Sequence, residues 1–287
     1  MENSNILRNP STNEIMNAID QNQLDLLSKS MNFVDKDELI KIYPNSDIYV
    51  KDELSKYSLG VNHPMMNVFC DTNFTEQEVE EKINLLLSQA KRKNIPFMWW
   101  AGALTKPKNL GEYLEKAGMI KDESPVMYLN LKEIDETKYK KVLNQSKIKI
   151  VRVSNPKEEE QWIDTFCTVF ELDDFKNDFS RFCRIWFQYF DAFLVLLDEG
   201  KPVGVSLVSY SFGVAAIYNV GVILEYRNRG IGKAITMAPL IQAKKKGYEI
   251  STLCSSELGF KVYSQIGYKE CGKYKQYIYI PQPSEEN

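Results

Sequence analysis

Residues 218–234 read YNVGVILEYRNRGIGKA. An apolar run with strand character leads into a loop holding Arg227, Asn228, Arg229, Gly230 and Gly232. Helix-forming residues begin at once, through Ile231 and Lys233. Free N–H groups at a helix N-terminus carry partial positive charge and bind phosphate oxygens. Glycines at 230 and 232 let a ligand approach the backbone with no Cβ in the way. Arg227 and Arg229 add charge. The chemistry that suits such a loop is the cradling of a diphosphate.

Three phosphate-binding patterns compete for this loop. G-x-x-x-x-G-K-[ST], ending on Gly232-Lys233, needs glycine at 227 and Ser or Thr at 234, where the chain has Arg227 and Ala234. G-x-G-x-x-G accepts Gly230 and Gly232 but needs glycine at 235, which is Ile235. R-x-x-G-x-G fits Arg227-Asn228-Arg229-Gly230-Ile231-Gly232 at every fixed position.

The elements that must position this loop follow from periodicity. Before it, Phe193–Leu197 and Val203–Tyr210 read as strands joined by the hairpin signal Glu199-Gly200-Lys201-Pro202, and Ala215–Val222 as a third strand. After it, the spacing predicts a helix over Gly230–Lys246 with Gly247 as its stop, a strand at Ile250–Cys254, a short helix at Leu258–Gln265 and strand material at Tyr268–Ile280. Ahead of these lie a strand at Ile148–Val153 and helices at Glu158–Leu172 and Asp178–Phe190. In the first half, a helix occupies the first 30 residues. A second is signalled by Thr75 and Glu78 in a capping pattern, with Val79, Ile83, Leu86, Leu87 and Ala90 on one face. Strands are expected at Met66–Cys70, Ile95–Ala101 and Pro125–Leu131.

Composition bounds the rest. The chain has 287 residues, 44% apolar and 26% charged, with a formal net charge of -3. This fits a globular protein of one large or two modest domains. It argues against a disordered chain and against a dedicated nucleic-acid binder. No apolar run reaches the length of a membrane span, and the polar N-terminus lacks a signal-peptide core. Cys70, Cys167, Cys183, Cys254 and Cys271 have no pairing spacing, which points to reduced thiols in a cytoplasmic protein. His63 is the only histidine, so no zinc site is expected.

The R-x-x-G-x-G segment resembles the acetyl-CoA signature of the GNAT acyltransferase superfamily. Leu258–Tyr268 (LGFKVYSQIGY) resembles the short helix of that family, with Tyr263 at the position of the family tyrosine. Leu224 stands where the family often has proline. The resemblance implies acetyl-CoA as co-substrate, no metal, and an amine acceptor that attacks directly with both substrates bound. It places the cofactor on Val220, Gly221, Val222, Arg227, Asn228, Arg229, Gly230, Ile231, Gly232, Lys233 and Ser256, where Ser256 could equally be a helix cap. The signature strand is expected to bulge at Asn219-Val220-Gly221-Val222, where glycine interrupts an apolar run. Tyr263 is implied as the acid that protonates the departing thiolate. Glu171 and Asp174 fall in the region that lines the acceptor cleft in relatives, or form a solvated acidic loop capping the next helix, while Tyr218 and Asn219 alternate across the strand, so that one of them faces the cleft. The general base is left open.

The halves share an order of strand, long helix, strand, short helix ending in glycine, and strand. In the first half this runs through NVFC, the Thr75 helix, FMWW, LGEYLEKAGM and VMYLNL. We read this as an internal repeat. The counterpart of the cradle is Asp71-Thr72-Asn73-Phe74-Thr75-Glu76, without glycine or arginine, and the counterpart of Tyr263 is Leu114. The expected fold is therefore α+β: two tandem GNAT-like domains, each a mixed, mostly antiparallel sheet flanked by helices. Residues 1–135 would be a degenerate domain without a cofactor site, 136–147 a linker or a bridging helix, and 148–287 the catalytic domain. The expected function is N-acetylation of a small-molecule or peptide amine, by a monomer or homodimer that binds neither nucleic acid nor membrane. A non-catalytic acyl-CoA sensor built on the same cradle is the alternative.

Overall fold

A computed structural model describes residues 6–32, 36–197 and 199–281. Its contacts divide the chain into two compact units: Met1–Ser30 with Pro125–Gly272, and Met31–Ser124 with Lys273–Asn287. We call the first the C-terminal unit and the second the N-terminal unit.

The C-terminal unit holds α1 (Thr12–Asn32), the end of β5 (Ile120–Asn130), α5 (Glu136–Ser146), β6 (Ile148–Arg152), α6 (Pro156–Val169), α7 (Lys176–Tyr189), β7 (Asp191–Leu197), β8 (Pro202–Ser211), β9 (Val214–Val222), α8 (Ile231–Lys245), β10 (Ile250–Cys254) and α9 (Glu257–Ile266). The strands run in the order β5-β10-β9-β8-β7-β6. β9 and β10 are parallel, joined by α8, and the other neighbours are antiparallel. One face is covered by α5, α8 and α9, whose apolar side chains pack on Val195, Val203, Ile217, Val222 and Leu253. On the other face, Trp162 of α6 stacks on Phe166 and donates its indole N–H to Ser206 O (3.2 Å). Trp186 of α7 donates to Ser30 Oγ of α1 (2.6 Å).

The N-terminal unit holds α2 (Lys36–Ile42), β1 (Asp47–Lys51), β2 (Leu54–Ser58), β3 (Asn67–Cys70), α3 (Val79–Lys93), β4 (Phe97–Ala101), α4 (Leu110–Lys116) and the end of β11 (Lys269–Tyr279). Its strands run β1-β2-β3-β4-β11, with β3 and β4 parallel and the rest antiparallel. This is the pattern of the other unit in miniature: a parallel pair joined by a helix, then an antiparallel closing strand. Glu78 reaches back to the Thr75 N–H (3.3 Å), as the capping pattern predicts, although regular helix begins only at Val79.

The division differs from the boundaries drawn on the sequence, for three physical reasons. First, α1 buries Ala18 against Val214 and Ile250 and donates Asn22 Nδ2 to Ser211 O (3.0 Å), so it belongs with the C-terminal unit. An amphipathic helix does not state in sequence which surface it covers. Second, the closing strands are exchanged. Val126–Asn130 pair with β10, and Lys275–Tyr279 pair with β4. Third, of the two readings of 136–147, linker or bridging helix, the stretch is mostly helix α5, and it belongs with the C-terminal unit. Asp135 caps it at the Thr137 N–H (2.9 Å), and Tyr139, Val142 and Leu143 pack on the α8 core. Those three apolar residues, at i, i+3 and i+4, suffice to bury one face of a charged helix.

Tyr277 on the exchanged strand packs directly over Gly111 of α4, where an added Cβ would collide with its hydroxyl. Overpacking costs roughly 1–3 kcal/mol, against a helix-propensity gain of about 1 kcal/mol for alanine. Gly111→Ala is expected to lower the urea midpoint, and Tyr277→Phe in that background to recover part of the loss. An unchanged midpoint would show that β11 does not close the N-terminal unit.

Candidate active site

The site is built where β9 leaves its neighbour. β9 pairs with β10 only at Ala215–Ser251 and Ala216–Thr252. Beyond Ala216 it stays bonded to β8 alone. There the register slips: Leu207 faces Tyr218 but Val205 faces Gly221, so Ser206 stands opposite two residues, Asn219 and Val220. The bulge lies where the sequence predicts it, but the residue in the left-handed region is Asn219 (φ 52°), not Gly221. Asparagine tolerates that conformation better than most residues. Gly221 answers a different need, since a Cβ there would collide with Val169 Cγ1 of α6.

The direction of the exposed peptide groups follows from one bond. The Ile223 N–H donates to Val203 O (3.0 Å), on the β8 side. The carbonyl of Val222, trans to it across the peptide, points the other way into the gap, and so does the Val222 N–H. Strand alternation gives Val220 the same sense. Arg227 Nε donates to the Val222 carbonyl (3.0 Å), which leaves the N–H.

The cradle continues from this strand. Asn228 (φ 62°) and Gly230 (φ 77°) are both left-handed, and the turn between them swings the chain into α8. The first backbone N–H accepted inside the helix is that of Ala234, by Gly230 O (3.1 Å). Those of Ile231, Gly232 and Lys233 point outward, as unbonded first-turn groups do. A Cβ on Gly232 would meet only Val222 Cγ2 at 3.9 Å, so the approach is open. The donor set therefore fits a diphosphate. Both arginines are braced by the loop they charge. Arg229 donates to Glu225 O (3.1 Å) and lies 5.1 Å from the centroid of the Tyr226 ring. Lys201 bonds the Tyr226 hydroxyl (2.8 Å).

Tyr263 sits on α9, only 8% exposed, with its ring edge-on to Tyr268 at 6.0 Å. Its hydroxyl bonds to none of the described residues. Burial pushes its pKa up to about 12, so it holds its proton at neutral pH. Gly259, one turn earlier, makes room for it, since a Cβ there would stand 2.7 Å from Tyr263 Cε2. Ser256 accepts from the Gly259 N–H (3.2 Å) and so serves as the N-cap of α9. Glu171 (φ 56°) and Asp174 lie exposed beyond α6. Neither bonds or pairs with β9 among the described residues. Tyr218 and Asn219 are half-buried on β9. Burial, then Cys254 and Asp25, drive the Tyr218 phenol well above its ordinary value.

Residues 150–271 match the family model for the acetyltransferase (GNAT) domain. This segment is a GNAT domain. The fold also resembles solved structures over most of the chain. One is a GCN5-related N-acetyltransferase from Kribbella flavida, with TM-score 0.63, 15% identity, and 97% of this chain and 98% of that one covered. Another is from Sphaerobacter thermophilus, at TM-score 0.55, 15% identity and 96% and 95% coverage. A GCN5-related N-acetyltransferase-like protein from Streptococcus suis gives TM-score 0.52, 15% identity and 90% and 98% coverage. At that identity the likeness is one of fold. No curated protein sequence matches the chain. Among the described residues no helix is long and apolar enough to cross a membrane, and no three His, Cys, Asp or Glu residues stand together as a metal site.

Sequence reading of the GNAT domain missed Gly259. Its signal was there, since a glycine one turn before a functional tyrosine on a helix leaves a hole for the ring. Gly259→Ala is expected to turn the Tyr263 ring out of its place over α9, visible in a crystal structure of the variant. An unmoved ring would mean that the helix backbone yields instead.

Proposed function

We propose that the chain is an acetyl-CoA-dependent N-acetyltransferase, acetylating a primary amine by direct attack in a ternary complex. The observation that carries this reading is the parting of β9 from β10, with the open N-terminus of α8 directly after it. The gap offers strand-like backbone groups to a pantetheine arm, and the helix end offers N–H donors to its diphosphate.

The acetyl thioester supplies the electrophile. Val220 and Val222 present N–H groups to the gap, where they meet the negative charge that grows on the carbonyl oxygen. Such preorganised donors are commonly worth about 3–4 kcal/mol. The amine nitrogen bonds the carbonyl carbon as the C–S bond breaks. Tyr263 gives its phenolic proton to the departing sulfur, in a site dry enough to hold that phenol neutral. The proton shed by the amine passes to a base, for which exposed Glu171 and Asp174 are the acidic candidates near α6.

The N-terminal unit supports a single cofactor site per chain. Its gap is stitched shut. Phe74 N–H donates to Lys106 O (3.1 Å), Lys106 N–H donates to Thr72 O (2.8 Å), and Trp99 bonds Thr72 Oγ1 (2.8 Å). Leu114, the counterpart of Tyr263, is wholly buried.

Calorimetric titration with CoA is expected to give one site per chain; two equal sites would overturn the single-cradle reading. Gly230→Asp should abolish that binding, because it strains a left-handed position and sets a carboxylate against the diphosphate. Tyr263→Phe should lower kcat on the order of 10²-fold while CoA affinity holds. An unchanged kcat would reduce Tyr263 to packing, and CoA binding with no turnover across amines would favour a sensor.

A further inference from the structure

We propose that the cleft between α1 and the open ends of β9 and β10 is the acceptor site, and that it takes a small cationic amine bearing hydroxyl groups, with Asp25 receiving the ammonium. This rests on the N-acetyltransferase reading for its chemistry, but not for its binding.

α1 lies outside the GNAT segment, yet it covers that segment's sheet. Gln23 Nε2 reaches Cys254 Sγ at the end of β10 (3.7 Å). Asp25 takes Ser211 Oγ (3.1 Å), and its charge is felt by Tyr218 on β9. Gln23, Asp25, Tyr218, Asn219 and Cys254 are all half-buried, so each keeps some surface within reach of solvent. The cradle and Tyr263 belong to α8 and α9, on the opposite face. An amine entering from the α1 side meets the gap without crossing either.

Unmet hydrogen-bonding groups mark this face. Thr252 Oγ1 and Asn22 Oδ1 are buried without a partner, on side chains with no exposed surface, and Asn219 Nδ2 is buried without one too. Ser251 bonds Ala215 O and Tyr268, on the α9 side. Thr252, its neighbour on the strand, therefore faces α1 together with Cys254. Asn22 turns its amide to Ser211 O on the same side. Buried polar atoms are rarely left unpaired, and a hydroxylated ligand supplies what these lack.

The charge pattern selects the ligand. Lys29 (2.6 Å) and Ser211 both engage Oδ2 of Asp25, which leaves Oδ1 without a partner among the described residues. The Lys29 ammonium is itself held over the rings of Tyr189 and Phe190, at 5.6 and 5.7 Å. Asp20, buried beside Cys254, adds a second carboxylate. An ammonium is attracted here, and an acceptor with its own carboxylate is repelled.

The test is saturation-transfer NMR on the full chain saturated with CoA, using ethanolamine, glucosamine and glutamate as probes. Ethanolamine and glucosamine are expected to bind and glutamate not to. Asp25→Asn should weaken both amines by about 10-fold, the factor for 1.4 kcal/mol, with CoA affinity unchanged. Should Asp25→Asn fail to fold, Thr252→Val decides, with glucosamine expected to weaken more than ethanolamine. Equal binding of glutamate, no binding of either amine, or unaltered affinity in the variants would overturn the assignment. If CoA itself does not bind, the transferase reading falls, and the same titrations on the CoA-free chain still decide the cleft.

Discussion

The structure of the C-terminal unit depends on one misfit in a strand pair. Asn219 and Val220 share a single opposite residue, Ser206, and from that point β9 has a neighbour on one side only. A strand edge inside a sheet would ordinarily be a liability, because its peptide groups are unpaired and away from water. Here the edge is short, and the loop that follows partly answers it through Arg227 on the Val222 carbonyl. The remaining donors point into the gap. The fold tolerates the gap because both layers hold Ser206. Its carbonyl takes the Trp162 indole from one side, and its hydroxyl donates to Ile235 O of α8 on the other (3.1 Å).

That fixing has an electrostatic consequence. Burial raises the pKa of Tyr218, Tyr263, Tyr268 and Cys254 alike. Each is therefore neutral at physiological pH. The groups present here are neutral donors and backbone dipoles, whose strength grows as water is excluded. The only histidine, His63, lies in the other unit, where burial lowers its basicity.

Much of this was legible in the amino-acid sequence, and for a definite reason. Motifs with fixed local spacing, such as Arg227–Gly232 and Ser256–Tyr268, encode a turn and its helix within about a dozen residues, so resemblance to a family motif locates them. The bulge was legible through Gly221, though for a reason that proved indirect: Gly221 yields to Val169, and Asn219 carries the unusual backbone. Partnership over long distances was not legible. Nothing in the apolar stripe of α1 says that it packs on Val214 and Ile250, two hundred residues away. Nothing in Val126–Asn130 or Lys275–Tyr279 says that the closing strands are exchanged. Local patterns state that a face is buried, and only tertiary structure states against what.

The two units then make a comparison that neither makes alone. Both place a helix between parallel strands and a short helix after the second strand, so topology does not decide whether a gap opens. The loop chemistry does. After β9 the chain has an asparagine that accepts a left-handed turn, a glycine that starts the next helix, and arginines that brace the outgoing loop. After β3 it has Asp71 in the left-handed region (φ 53°), followed by residues whose backbone pairs with Lys106. A single parallel bridge, Asn73 to Lys106, carries the pairing past the point where the other pair parts. Trp99 then fills the space beneath it, stacked on Phe69 at 5.0 Å. Reopening such a gap would mean breaking two backbone bonds and emptying a wholly buried indole from its place. Restoring glycine and arginine to the loop alone would therefore not restore a cradle.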